Sequence, residues 1–155
     1  MIGDLTQAQI DHLLQTESVA RIGCHNGERC YVVPVSFVWH EACLYGHSGL
    51  GLKIEIMRAH PNVCVEIDHI DDLANWQSVI AWGEYEELEG AEAEAAMSLL
   101  VARLTPLISQ TGGSSLPHPW NDHGGSTEHI LHRASRHGVI FKIRINEKTG
   151  RFEAR

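Results

Sequence analysis

Apolar and polar positions alternate with a period of two over most of this chain, and short helical patterns interrupt the alternation. Leu5-Thr6-Gln7-Ala8-Gln9-Ile10 predicts a helix start. Thr6 and Gln9 are spaced as a capping box, Leu5 and Ile10 as a hydrophobic staple, and Ile10, Leu13 and Leu14 continue one apolar stripe. From Ser18 to Cys24, Ala20 and Ile22 share one face while Val19 and Arg21 share the other. Glu28 to Trp39 is rich in β-branched and aromatic residues and follows an Asn26-Gly27 hairpin signal. Pro34 lacks a ladder donor, which puts this strand at an edge or gives it a bulge. After a turn at His40-Glu41, Cys43 to His47 reads as a short partner strand. From Tyr45 onward it gives way to a loop with Gly46, Gly49 and Gly51, and a short helix covers about 52–60, ended by Pro61.

Asn62 to Asp68 alternates again, with Val63, Val65 and Ile67 inward. Ser78 to Leu88 is a longer strand in which Gly83 predicts a bend. A helix from Glu89 carries Ala93, Met97, Leu100, Val101 and Leu104 on one side, and Pro106 is expected to stop it. The last strand is the clearest, with Val139, Phe141, Ile143 and Ile145 facing one way and Lys142 and Arg144 the other. The pattern predicts a mainly β fold: a six- or seven-stranded antiparallel barrel with flanking helices, in one domain.

Composition narrows the functional classes. A chain of 155 residues with 43% hydrophobic and 21% charged residues can bury a core of its own. The net charge of −8 argues against a nucleic-acid partner. No apolar run approaches the roughly eighteen residues that cross a membrane. Met-Ile-Gly-Asp-Leu-Thr has no basic segment followed by an apolar one, so no secretion signal is expected. Cys24, Cys30, Cys43 and Cys64 form no CxxC pair, so reduced thiols in a cytoplasmic protein are expected.

Lysine distribution singles out one position. The chain has only Lys53, Lys142 and Lys148, and Lys53 stands where a glycine-rich turn meets a helix start. Backbone N–H groups in such a loop can approach an anion, and the helix N-terminus adds a favourable dipole, so this arrangement suits a phosphate. A surface lysine at a helix start is the plain alternative.

The order of these features resembles the pyridoxamine 5′-phosphate oxidase-like superfamily of FMN-binding split β-barrels, nearest its nitroimidazole-resistance branch. The matching pieces are Val19-Ala20-Arg21-Ile22; Tyr31 to Phe37 with Pro34; Leu44-Tyr45-Gly46-His47-Ser48 with Gly51 and Lys53; His60-Pro61-Asn62-Val63; Trp76-Gln77-Ser78-Val79 with Gly83; and Val139 to Ile143 before Thr149-Gly150. The resemblance implies a homodimer with one FMN per subunit in grooves at the interface. The phosphate would meet Lys53, helped by Ser48. Val35, Ser36 and Phe37 would line the groove, and Ser78 and Val79 would approach the flavin ring. Val35, Phe37 and Val79 can equally be plain barrel core. His47 matches a histidine typical of the branch and is the candidate for proton transfer or substrate contact.

Trp76, Trp82 and Trp120 are candidates to stack on a flavin, Trp120 foremost. Residues 109–136 match weakly and read as a long loop with a short helix, either a lid or a disordered excursion. His118, His123, His129, His132 and His137 cluster there, but their spacing fits no closed zinc site, so no metal is expected. They do keep a haem-binding or haem-handling protein on the same barrel open. True pyridoxamine phosphate oxidases carry extra basic residues for the substrate phosphate and a longer C-terminal segment with an arginine, and Thr149-Gly150-Arg151-Phe152-Glu153-Ala154-Arg155 does not match that segment, so vitamin B6 synthesis is not expected. The expected function is FMN-dependent reduction of a small, nitroaromatic-type molecule, with a reduced nicotinamide entering the flavin groove. A non-catalytic flavin binder and a deazaflavin in place of FMN stay open.

Overall fold

The capping box forms as its spacing predicts. In the computed structural model, which describes residues 1–110 and 138–155, Gln9 N donates to Thr6 Oγ1 at 3.3 Å and Thr6 N donates to Gln9 Oε1 at 2.8 Å. They start helix α1 (Gln7–Thr16), whose Ile10, Leu13 and Leu14 are buried together with Leu5. The remaining described elements are β1 (Ile2–Asp4), β2 (Val19–His25), β3 (Cys30–His40), β4 (Cys43–Gly49), α2 (Leu52–Ala59), β5 (Asn62–Asp72), β6 (Asn75–Leu88), α3 (Gly90–Gln110) and β7 (Gly138–Glu153).

All pairings are antiparallel, in the order β1-β7-β4-β3-β2-β5-β6, and β6 also pairs with β7. Six strands therefore close a ring, with β1 appended along the far half of β7. The fold is the expected mainly β split barrel, with seven strands and three helices among the described residues. Its core is built from alternate positions: Ala20, Ile22 and Cys24 of β2; Val35 and Phe37 of β3; Val63, Val65 and Ile67 of β5; and Phe141 and Ile143 of β7. Full burial of a side chain the size of Phe141 contributes about 1.5–3 kcal/mol.

Ring closure depends on two glycines. A Cβ on Gly83 would lie 2.3 Å from the Arg144 carbonyl oxygen, and the β6–β7 register shifts between Trp82 and Gly83, which is the predicted bend. A Cβ on Gly46 would lie 2.6 Å from Phe141 Cζ. Gly46 therefore belongs to the strand rather than to the loop: β4 runs on to Gly49, paired with β7 as far as Gly138. The glycine there makes room for an aromatic ring across the strand pair and does not signal a turn.

Other elements also exceed their predicted spans. β5 and β6 continue into a hairpin whose tip is held by Asp72 Oδ1, which accepts from Ala74 N at 2.7 Å. α3 passes through Pro106 to Gln110, because proline removes one hydrogen bond without excluding helical φ. β7 continues past Ile145 to Glu153, reaching α1, where Leu5 N donates to the Gly150 carbonyl at 2.9 Å. The edge predicted at Pro34 is local. Cys30 to Ser36 pairs only with β2, whereas Phe37 to His40 pairs with β4.

The β5–β6 hairpin is latched to α1 by His69, whose Nδ1 lies 2.8 Å from Glu17 Oε1 and whose Nε2 lies 3.3 Å from Asp71 Oδ1. The hydrogen bond to Glu17, reinforced by the charges of Glu17 and Asp71, raises the His69 pKa above its ordinary 6.5. A raised pKa stabilises the folded state below the ordinary value, and that contribution is lost as pH rises through the raised one.

Two outcomes follow. Gly83→Ala should lose about 1–3 kcal/mol in urea unfolding. Gly49→Ala, where an added Cβ meets nothing within 4 Å among the described residues, should stay within about 0.5 kcal/mol. In an NMR titration His69 should show a midpoint above 6.5, and Glu17→Gln should lower it. The Tm difference between the parent and Glu17→Gln should be largest below that midpoint and shrink above it.

Candidate functional site

Lys53 sits in the first turn of α2, immediately after β4. Gly51 occupies the N-cap with no side-chain hydrogen bond, and its carbonyl accepts from Ile54 N and Glu55 N at 3.1 Å each. The amides of Leu52 and Lys53 precede this first intrahelical bond and belong to the orphan donors of a helix start. A Cβ on Gly49 or on Gly51 meets no atom of the described residues within 4 Å, so among them space is open beside these amides. Among the described residues Lys53 makes no ion pair, whereas Lys142 faces Glu86 at 3.9 Å and Lys148 pairs with Asp11. Burial, and secondarily Cys64, pushes the Cys24 thiol pKa up, while Lys53 acts in the opposite sense. The Lys53 charge thus reaches the barrel end at which β2 finishes. A cation without an acidic partner, an uncapped helix start and space left open among the described residues form an arrangement that suits a phosphate monoester.

The other expected site residues of β3 and β4 divide by strand alternation. Val35 and Phe37 point into the core, and Ser36 between them is exposed on the outer surface. Ser48 is buried on the inner side of β4, and its Oγ donates to the Gly49 carbonyl at 2.7 Å. Its hydroxyl proton is thereby used at the end of β4, leaving oxygen lone pairs. His47 is half-buried and pairs across the ladder with Ile140. It shares with Tyr45 the face of β4 that turns away from the core, towards α3. Burial, first of all, pushes the Tyr45 pKa up, and the nearby charge of Glu92 on α3 adds to it.

Ser78 and Val79 lie across the barrel. Val79 is fully buried in the core, while Ser78 faces outward and its Oγ donates to Glu66 Oε1 at 2.9 Å. Arg21 Nη1 lies 3.1 Å from both Glu66 Oε2 and Asp68 Oδ2. Register assembles this outer face row by row. Val32, Gly23, Cys64 and Trp82 form one cross-strand row, and Pro34, Arg21, Glu66 and Ile80 form the next. Val32, Trp82 and Val19 are 63%, 41% and 48% exposed. Ser36 and Ser78 are three strand steps apart on this face, about 14 Å along the sheet at ~4.8 Å per step. Within one protomer the expected site residues thus do not converge on one point.

The reading of single strands missed Arg21, Glu66 and Asp68, since only the β2–β5–β6 register brings them to Ser78. A cleft of about 170 Å³ opens one step further along, between the β5–β6 hairpin and the end of β7. Trp76 and Phe152 line it with Asp71 and Glu153, and Trp76 Nε1 donates to Glu153 Oε2 at 3.3 Å. Trp120 and the histidines from His118 to His137 lie outside the described residues. Among the described residues no group of three or more His, Cys, Asp or Glu side chains is placed to hold a metal ion, and no helix is long and apolar enough to cross a membrane.

Solved structures share this architecture. An FAD-binding protein of Mesorhizobium loti is 26% identical, with a TM-score of 0.76 and 99% of each chain covered. A candidate 5-nitroimidazole antibiotic resistance protein of Bacteroides thetaiotaomicron superposes with a TM-score of 0.67 at 18% identity, over 98% of this chain and 87% of that one. HutZ, the haem storage protein of Vibrio cholerae, reaches 0.67 at only 10% identity, over 95% and 93% of the two chains. The last two likenesses are of fold alone. A family model described as pyridoxamine 5′-phosphate oxidase matches residues 6–117, well over half the chain. The protein belongs to the pyridoxamine 5′-phosphate oxidase family.

Proposed function

We propose that the protein is a homodimeric flavoprotein that binds one FMN per subunit and reduces a small, nitroaromatic-type molecule with electrons from a reduced nicotinamide. The observation that carries this reading is Lys53, a cation without an acidic partner among the described residues, beside an uncapped helix start and open space. The FAD-binding neighbour at 26% identity supports a flavin as the ligand class. Lys53 and the α2 amides would hold the phosphate, with Ser48 beside them. Ser36 would contact the cofactor by its side chain, and Val35, Phe37 and Val79 would bound the groove from the core.

Dimerisation accounts for the distance between the two halves of the site. Val32, Trp82, Val19 and Pro34 add apolar side chains to the outer face that carries Ser78, so a second copy seated there would bring its Ser78 towards the ring end of a cofactor anchored at Lys53. Stable interfaces bury about 800 Å² per partner. Burying the cofactor between subunits would exclude water from the reacting ring. A bound flavin supplies two-electron transfer, and the protein sets access to the ring and its potential. His47, on the outer side of β4, would serve in proton transfer or substrate contact. Four free thiols fit the expected cytoplasmic life.

Protein incubated with excess FMN and desalted should retain a flavin band at close to one per chain, and FAD in competition should reveal any preference for the dinucleotide. Lys53→Ala should weaken FMN binding by about ten- to more than a hundredfold, the value of a charge-assisted contact of roughly 1.5–3 kcal/mol. Unchanged affinity would remove the phosphate site. A Soret band in the purified protein with no flavin uptake would move the reading to haem. Oxidation of a reduced nicotinamide with a nitroaromatic or quinone acceptor separates a reductase from a non-catalytic binder. Trp82→Glu should convert a dimer to a monomer in light-scattering chromatography and release FMN in the same step.

A further inference from the structure

Ser78 does not present a free hydroxyl to its surroundings. Its Oγ lies 2.9 Å from Glu66 Oε1, and a carboxylate at neutral pH only accepts hydrogen bonds, so the Ser78 proton points at Glu66. Glu66 is itself held on its other oxygen by Arg21 Nη1 at 3.1 Å, and the same guanidinium nitrogen holds Asp68 Oδ2 at 3.1 Å. The three side chains come from β2, β5 and β6. In the ladder Glu66 stands opposite Ile80, so it reaches Ser78 diagonally, two residues along. The arrangement fixes both the rotamer and the polarity of one hydroxyl: its donor is engaged, which leaves its oxygen lone pairs for a partner on the outer face, two rows along from Val32 and Trp82.

A serine so held selects for a ligand atom that donates. We infer that Glu66, anchored by Arg21, is a positioning residue that makes Ser78 an obligate hydrogen-bond acceptor for the imide N3–H of the flavin ring. The inference rests on the flavin reading above and names a ring contact within it. The oxidised isoalloxazine carries a single N–H, at N3, while its carbonyl oxygens, N1 and N5 only accept. An acceptor-only serine therefore matches one position on the ring edge and mismatches the others. The charge-assisted Ser78–Glu66 bond also polarises the hydroxyl and strengthens it as an acceptor.

The test compares FMN with N3-methyl-FMN, whose phosphate and ribityl chain are unchanged. The parent protein should bind the methylated cofactor about ten- to a hundredfold more weakly, since the donor is lost and the Ser78 oxygen is left without a partner. Ser78→Ala should bind the two cofactors within about threefold of each other. Glu66→Gln should also lose most of the discrimination, because its amide can donate to Ser78 and free the hydroxyl to turn. Ser78→Thr, which keeps the hydroxyl, should restore it. A parent that binds both cofactors equally overturns the inference and leaves the flavin reading standing, and this comparison needs no variant to fold. Discrimination that survives in a folded, dimeric Ser78→Ala also overturns it. A parent that takes up no FMN overturns both readings together.

Discussion

The closure of β7 against both β4 and β6 is the constraint on which the rest of the molecule depends. One strand joins two edges of an otherwise open sheet, and it can do so only where backbones approach without side chains between them. Gly83 meets the Arg144 carbonyl, and Gly46 leaves space for the ring of Phe141. That ring then packs against Tyr85 at a centroid distance of 5.4 Å, so the two glycines set where the aromatic part of the core can sit. Tyr85 OH donates to Glu87 at 2.9 Å, and Glu87 is paired with Arg58 of α2. The closure point is thereby linked through packed and hydrogen-bonded side chains to the helix that begins beside Lys53.

Closure also sorts chemistry by face. A closed ring uses its inward positions for core, so polar chemistry has only the strand ends and the outer surface. The end is where β4 passes into α2 and where Lys53 stands. The outer surface is where β2, β5 and β6 align Arg21, Glu66 and Ser78. These regions lie on different strands. An apolar row lies on the same outer face, with Trp82 41% and Val32 63% exposed.

How legible the fold was in the sequence follows from how local each signal is. The Thr6–Gln9 capping box, the alternation in β2 and β7 and the bend at Gly83 each depend on a few neighbouring residues, and each formed. Gly46 was misleading because a strand glycine facing an aromatic ring and a loop glycine look the same without the partner strand. β1 has three residues and no pattern of its own, so it exists only because β7 extends to meet it. The tip of the β5–β6 hairpin lost its alternation because Ile70, Asp71 and Asp72 are all exposed. A periodicity argument needs one buried face to read.

The site divides in the same way. Lys53 stood out from composition alone, as one of three lysines and the one at a glycine-rich helix start. The triad of Arg21, Glu66 and Ser78 could not, since its members are 45 and 12 residues apart in the chain and meet only through register. An ionic pair on the surface of a sheet commonly contributes little to stability. Here the pair has a further consequence, because its second carboxylate oxygen sets the direction of a serine hydroxyl. The same two charges that count for little in the folding balance determine which hydrogen-bonding partner that hydroxyl can accept, and only a measurement sensitive to the ligand's donor pattern can detect it.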